Sequence, residues 1–157
     1  MSDIEEIKEL EREYDGEAMR DPSGPPQFNL AEWISEAPFE KLCGMEIVKA
    51  FGGEASIRMP YRVKLSMGGG LMHGGALMSL ADTAIAIAVK SLLPEGSKFV
   101  THSLNSNFLA PMRRGTALAR AKVERVEGKK LHASASILND DDEQVADFKA
   151  LFIVVDM

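Results

Sequence analysis

A single cysteine, Cys43, in 157 residues leaves no partner for an intramolecular disulfide. The opening MSDIEEIKEL has neither the basic start nor the apolar run of a secretory signal, so a reducing cytoplasm is the expected compartment. Positive charge is also scarce. Lys and Arg number 18 against 24 Asp and Glu, and a net charge of -6 is a poor match for the phosphates of nucleic acid or for an anionic membrane surface. The expected partner is therefore a small molecule or another protein. No internal repeat and no low-complexity segment occurs. The most apolar stretch, MHGGALMSLADTAIAIAV from Met72 to Val89, contains Asp82, and an Asp at a bilayer centre costs about 2.5 to 3.5 kcal/mol. That argues against a membrane span. What remains is an ordinary globular composition, 45% hydrophobic and 27% charged, at a length that suits one domain with a real core.

Along the chain, residues 1–29 read as an acidic extension: Ile4, Ile7 and Leu10 at helical spacing, then the breaker-rich linker DPSGPPQ. This segment is too short for a convincing helix-turn-helix; it reads as a tail, or as a flap or arm that steadies a dimer. The domain proper is expected over 30–157. Leu30, Trp33 and Ile34 have the spacing of a short helix that Pro38 interrupts. MEIVKAFGGEASIRMPY then predicts a hairpin turning at Gly52 and Gly53. The apolar stretch predicts a helix of about five turns, ended by Pro94 and Gly96. Its Ala, Ile and Val residues lie almost all round, so it should be buried on most sides. In TALARAKVERV, Ala117, Ala119, Ala121 and Val123 alternate with Arg120, Lys122 and Glu124, which is strand patterning with a small-residue face suited to a close-packed helix. LHASASIL and VADFKALFIVV continue it. Two strands, a long helix and four more strands predict an α+β domain with a mostly antiparallel sheet of about six strands around one central helix.

Two features of that helix bear on chemistry. HGG at its start offers free backbone N–H groups, positive dipole potential and close approach to the main chain, which suits an oxyanion; a tight turn capped by His73 is the plainer alternative. A carboxylate at Asp82, in a helix apolar on most sides, should be buried and needs compensation. It is either structural, bonded to Thr83, Ser79 or backbone N–H groups, or a catalytic base or nucleophile. Nine residues at about 100° and 1.5 Å each put Asp82 on the opposite side of the helix from His73 and about 13.5 Å along it. A shared site then requires two antiparallel helices across a twofold axis, and so a dimer. His102 and His132 match no zinc spacing, and no metal or cofactor is expected.

HGG, the acid nine positions later in LADTA, and the strand ending NFLAP resemble the hotdog-fold acyl-CoA thioesterases of the phenylacetate-degradation (PaaI-like) group, from about Ala37 to the end. The resemblance implies a hotdog fold, dimers often paired into tetramers, and metal-free hydrolysis of acyl-CoA. The Gly74 N–H would polarise the thioester carbonyl, and Asp82 of the other protomer would act as nucleophile or general base. Thr101 matches a position where relatives carry a hydroxyl that positions water or the acid. Met67 stands where many relatives have Asn or Gln, with Ser66 the nearest polar substitute. His73 would orient the glycine turn or act directly in catalysis, Gly75 and Met67 are expected to contact the substrate, Leu77, Phe108 and Met112 to line the site of an uncharged aliphatic or aromatic acyl group, and Arg113 and Arg114 to lie near the CoA phosphates or simply on a solvated turn. Other readings are a noncatalytic acyl-CoA binding or sensing dimer, motivated by Met67, and an acyl-CoA hydratase on the same fold, whose long signature is not evident.

Overall fold

The computed structural model describes residues 32–155 together with two short strands, β1 (Ala18–Arg20) and β2 (Pro26–Phe28), which pair antiparallel with Ala18 opposite Phe28. The helix expected from Ile4, Ile7 and Leu10 lies outside the described residues. Part of the expected linker, Pro26–Phe28, is strand instead, and a proline is tolerated at the start of such a two-stranded ribbon because edge positions need no ladder donor.

Pro38 begins a helix rather than interrupting one. Residues 32–35 form irregular bends, and α1 (Pro38–Cys43) starts at the proline, whose locked φ suits a first turn that needs no N–H partner. Gly44, at φ +74°, closes α1 by donating its N–H to the carbonyls of Glu40 and Lys41. Strands β3 (Glu46–Phe51) and β4 (Glu54–Pro60) follow, joined through Gly52 and Gly53 at φ +60° and +85°, the left-handed pair that a two-residue hairpin turn demands. Then come the helix α2 (Gly74–Lys90) and strands β5 (Phe99–Phe108), β6 (Thr116–Glu127), β7 (Lys130–Leu138) and β8 (Gln144–Val154). The six long strands form one antiparallel sheet in the order β3-β4-β6-β7-β8-β5. The fold is α+β, one long helix against a six-stranded antiparallel sheet, in the strand–helix order that the patterning predicts. No helix of the described residues is long and apolar enough to cross a membrane.

Helix α2 lies chiefly across β4 and β6. Ala117, Ala119 and Ala121 of β6, with Ile57 and Met59 of β4, are buried beneath Leu80, Ala81, Ala84, Ile85 and Ala88 of the helix, while Arg120 and Lys122 face outward. Alanine on both surfaces lets helix and sheet approach closely, with Ile57, Met59, Leu80 and Ile85 filling the space beside them. The far end of α2 is tied to the chain entering the domain: the Trp33 indole N–H donates to the Lys90 carbonyl at 3.1 Å, and Lys90 Nζ donates to the Trp33 carbonyl at 3.1 Å with the ammonium 4.8 Å from the indole ring centre. Burial holds the Lys90 ammonium below the usual lysine range, with Glu40 partly opposing.

Overpacking the closest contact should therefore be costly. Ala119→Leu is expected to lower stability by about 1–3 kcal/mol in urea unfolding, while Lys122→Ala on the outer face should stay within about 0.5 kcal/mol; equal effects would contradict this packing. Burial, reinforced by Glu40, pushes the Cys43 thiol up against the smaller opposing pull of Lys64 and Arg62. Near neutral pH the native protein should hold Cys43 as the protonated thiol and react slowly with a thiol reagent, with labelling quickening as pH rises and becoming complete on denaturation.

Candidate active site

The start of α2 is built by its histidine. His73 is the N-cap, and its Nδ1 accepts the Gly75 N–H at 2.8 Å, while its carbonyl accepts the N–H groups of Ala76 and Leu77 at 2.9 and 3.2 Å. Only a neutral imidazole leaves Nδ1 able to accept. Of the first-turn donors, the Gly74 N–H alone has no acceptor among the described residues. Two backbone bonds pin this turn in place: the His73 N–H to the Leu65 carbonyl at 2.8 Å, and the Met72 N–H to the Met112 carbonyl at 2.7 Å. Gly75 is required by the cap itself, because a Cβ there would lie 2.9 Å from Nδ1.

Gly74 opens onto a groove of about 370 Å³ whose lining includes Met67, Leu71, Leu77, Phe108 and Met112. A Cβ on Gly74 would touch the Phe108 ring at 3.4 Å, so the ring lies directly over the exposed backbone. Of the residues expected near an acyl group, Met67, Leu77, Phe108 and Met112 do share this groove, whereas Gly75 does not line it. Leu71, Met72 and the Leu109–Pro111 stretch complete it; nothing in their local pattern distinguishes a groove wall from ordinary core. Ser66 does not stand in for a polar group at Met67, since its Oγ donates to the Val63 carbonyl at 2.6 Å. Arg113 and Arg114 are exposed immediately beyond the groove.

Asp82 is half-buried, not buried as expected. The helix is covered by β4 and β6 on one side, but Gly75, Ser79, Asp82 and Ala86, about one turn apart, form a half-buried stripe that a single sheet does not cover. Neither Ser79 nor Thr83 is the partner of the carboxylate: Ser79 Oγ donates to the Gly75 carbonyl at 2.8 Å, and Asp82 Oδ1 accepts from Thr101 Oγ1 at 2.8 Å.

A β-bulge places that threonine. Between β5 and β8 the register shifts between Thr101 and Ser103, leaving His102 as the extra residue. Thr101 is therefore opposite Phe152, and beyond the bulge Leu104, Ser106 and Phe108 are opposite Ala150, Phe148 and Ala146, all on the buried side of β8. Strict alternation would send Thr101 and Phe108 to opposite faces; the bulge gives them the same one. Phe108 then meets Phe148 edge-on at 6.1 Å.

The chain thus carries two separate groups of candidate residues, each a half-site of the expected composite arrangement. Gly74 and Phe108 sit at one end of β5, Asp82 and Thr101 at the other, and neither Asp82 nor Thr101 lines the groove. Eight residues of helix separate Gly74 from Asp82 by about 12 Å along the axis. The first half-site can donate a hydrogen bond to a carbonyl oxygen in apolar surroundings; the second can supply a base or nucleophile. Among the described residues, no cluster of three or more His, Cys, Asp or Glu is placed to hold a metal ion. Gly75→Ala should displace the His73 ring and cost about 1 kcal/mol, as loss of an N-cap does, read as a lower urea midpoint at unchanged slope; an unaltered midpoint would mean that the cap contributes nothing.

Comparison with known proteins bears on this arrangement. The Thioesterase superfamily matches residues 69–146, a span that holds both half-sites. The acyl-coenzyme A thioesterase PaaI of Escherichia coli is 32% identical over 110 residues, covering 69% of this chain and 76% of that protein. Its solved structure superposes with a TM-score of 0.71 at 28% identity, over 76% of this chain and 86% of that one. A conserved protein of Pseudomonas aeruginosa gives a TM-score of 0.75 at 28% identity, over 81% of this chain and the whole of that one.

Proposed function

This chain belongs to the thioesterase superfamily, among its PaaI-like hotdog members, and we propose that it is an acyl-CoA thioesterase that hydrolyses an aliphatic or aromatic acyl-CoA to the free acid and CoA, working as a dimer with composite sites. The observation that carries this reading is the placement of a Gly74 N–H without an acceptor among the described residues, and of a Thr101-bonded Asp82, beside opposite ends of one edge strand. Antiparallel pairing of β5 with its copy about a twofold axis between Leu104 and Asn105 puts Thr101 of one chain opposite Phe108 of the other. Each Asp82 then approaches the partner's Gly74 groove, and two equivalent sites form. Pairing of two such dimers into a tetramer is compatible with this geometry.

In that site the thioester carbonyl oxygen accepts the Gly74 N–H, which stabilises the negative charge that develops during attack. Asp82, oriented by the Thr101 hydroxyl, attacks the carbonyl carbon or takes a proton from the attacking water. As base, Asp82 passes that proton to the departing sulfur as the C–S bond breaks, giving the free acid and the CoA thiol; as nucleophile it forms an acyl-aspartyl anhydride and CoA thiolate, and water then cleaves the anhydride to the free acid, regenerating the carboxylate and supplying the proton that the thiolate takes up. His73 serves the chemistry indirectly, by holding Gly75 and with it the turn. The apolar groove suits an uncharged acyl group, and Arg113 and Arg114, just outside it, suit the phosphates of CoA. A reducing cytoplasm is compatible with the free, buried Cys43.

Met67 favours a second reading, a noncatalytic acyl-CoA binding dimer, because it brings a thioether into the groove wall where the resemblance has an amide and Ser66 is otherwise engaged. A thiol-release assay over short, medium, long and aryl acyl-CoAs separates the two. Asp82→Asn should lower kcat by about 10²–10⁴-fold while the dimer persists on size exclusion. Near-normal hydrolysis by that variant would refute the assignment, and binding without turnover by the unaltered protein would leave the binding reading.

A further inference from the structure

Part of the groove wall is a loop whose tip has almost no packing of its own. Residues 66–72 form a small hairpin: Ser66 bridges Met72, the Met67 N–H donates to the Leu71 carbonyl at 2.8 Å, and the Gly70 N–H donates to the Met67 carbonyl at 2.9 Å. Gly70, at φ +84°, takes the left-handed position that a three-residue hairpin loop requires. A Cβ built on Gly68 or Gly70 would meet nothing within 4 Å, and one on Gly69 would meet only Met67. The tip therefore stands in solvent, and three successive glycines make it costly to order. Yet the two residues flanking it, Met67 and Leu71, are the ones that line the groove.

Tyr61 reaches this loop from outside. Its hydroxyl donates to the Gly70 carbonyl at 2.6 Å. The ring itself is anchored, since it follows β4, is partly buried against the core, and its backbone N–H donates to the Gly115 carbonyl at 2.8 Å. We propose that Tyr61 is a positioning residue that sets acyl-chain selectivity by tying the glycine loop, and with it Met67 and Leu71, to the domain. This rests on the groove beside Gly74 being the acyl site. A two-carbon acyl group at Gly74 is too short to depend on the loop wall; a longer chain lies against it and needs it in place.

Non-hydrolysable thioether analogues of acetyl-CoA and octanoyl-CoA, titrated calorimetrically into the full chain and into Tyr61→Phe, test this separately from turnover. Phe keeps the ring and removes the tie. The expected result is a roughly 3- to 10-fold loss of octanoyl affinity, the range one hydrogen bond spans, with a much smaller change for the acetyl analogue. With the thioesters themselves, KM for octanoyl-CoA should rise without a matching fall in kcat, and the amides of residues 68–71 should exchange faster while those of α2 do not. Leu71→Ala, which removes the wall and leaves the tie, should lower the same selectivity ratio. Equal losses for both analogues, no loss for either, or no binding of either to the unaltered protein would overturn the proposal. If the unaltered protein binds the analogues but cleaves neither thioester, the thioesterase reading falls while the affinity ratio still decides the role of Tyr61.

Discussion

Close packing of α2 over the alanine face of β6 governs the arrangement of the rest of the domain. Because the helix lies along β4 and β6 with Ala81, Ala84 and Ala88 on its side and Ala117, Ala119 and Ala121 on the strand's side all buried, a turn of the helix about its axis would move buried Leu80 and Ile85 out of their packed positions. The helix's rotational setting decides which stripe is left uncovered. It is the stripe of Gly75, Ser79, Asp82 and Ala86, so the helix's one carboxylate lies at its one polar-tolerant face. The charge therefore keeps access to water and to a hydroxyl, and avoids the several kcal/mol that an unpaired buried carboxylate would cost.

At the helix start the relevant quantity is how many donors are left over. A helix begins with orphan N–H groups, and a cap normally satisfies one of them. Here the His73 side chain takes the Gly75 N–H and the His73 carbonyl takes the next two, leaving Gly74, beside the Phe108 ring, as the donor without an acceptor among the described residues. Once a bound acyl group shields such a donor from water, it interacts more strongly with a developing negative charge, because a lower local dielectric strengthens the interaction. The cap and the leftover Gly74 N–H are thus two consequences of the same turn.

Strand β5 connects the two halves. Its bulge at His102 changes the parity of the strand, so that a threonine beside Asp82 and a phenylalanine beside Gly74 can both face inward although they lie seven positions apart. Its place at the sheet edge leaves its second hydrogen-bonding side open to another chain. In the proposed dimer, an antiparallel pairing there would exchange the ends of the strand and bring Asp82 of one chain towards Gly74 of the other.

Local patterning was enough for the element order, the hairpin at Gly52–Gly53, the small face of β6, and the singling out of His73, Gly74 and Asp82, because these depend on residue type and short-range period. The misreadings had local causes too. Pro38 was ambiguous between ending a helix and opening one, and apolar residues almost all round α2 suggested burial on most sides, Asp82 included, although one sheet can cover only part of a helix. The partnership of Asp82 with Thr101, the groove that joins Met67 to Phe108, and the tie from Tyr61 to Gly70 were left to tertiary structure. Each joins segments whose distance in space depends on register, on a one-residue bulge and on the depth of helix packing, none of which the chain encodes in any single stretch. Residue types determined what chemistry was available, and packing decided which groups could meet.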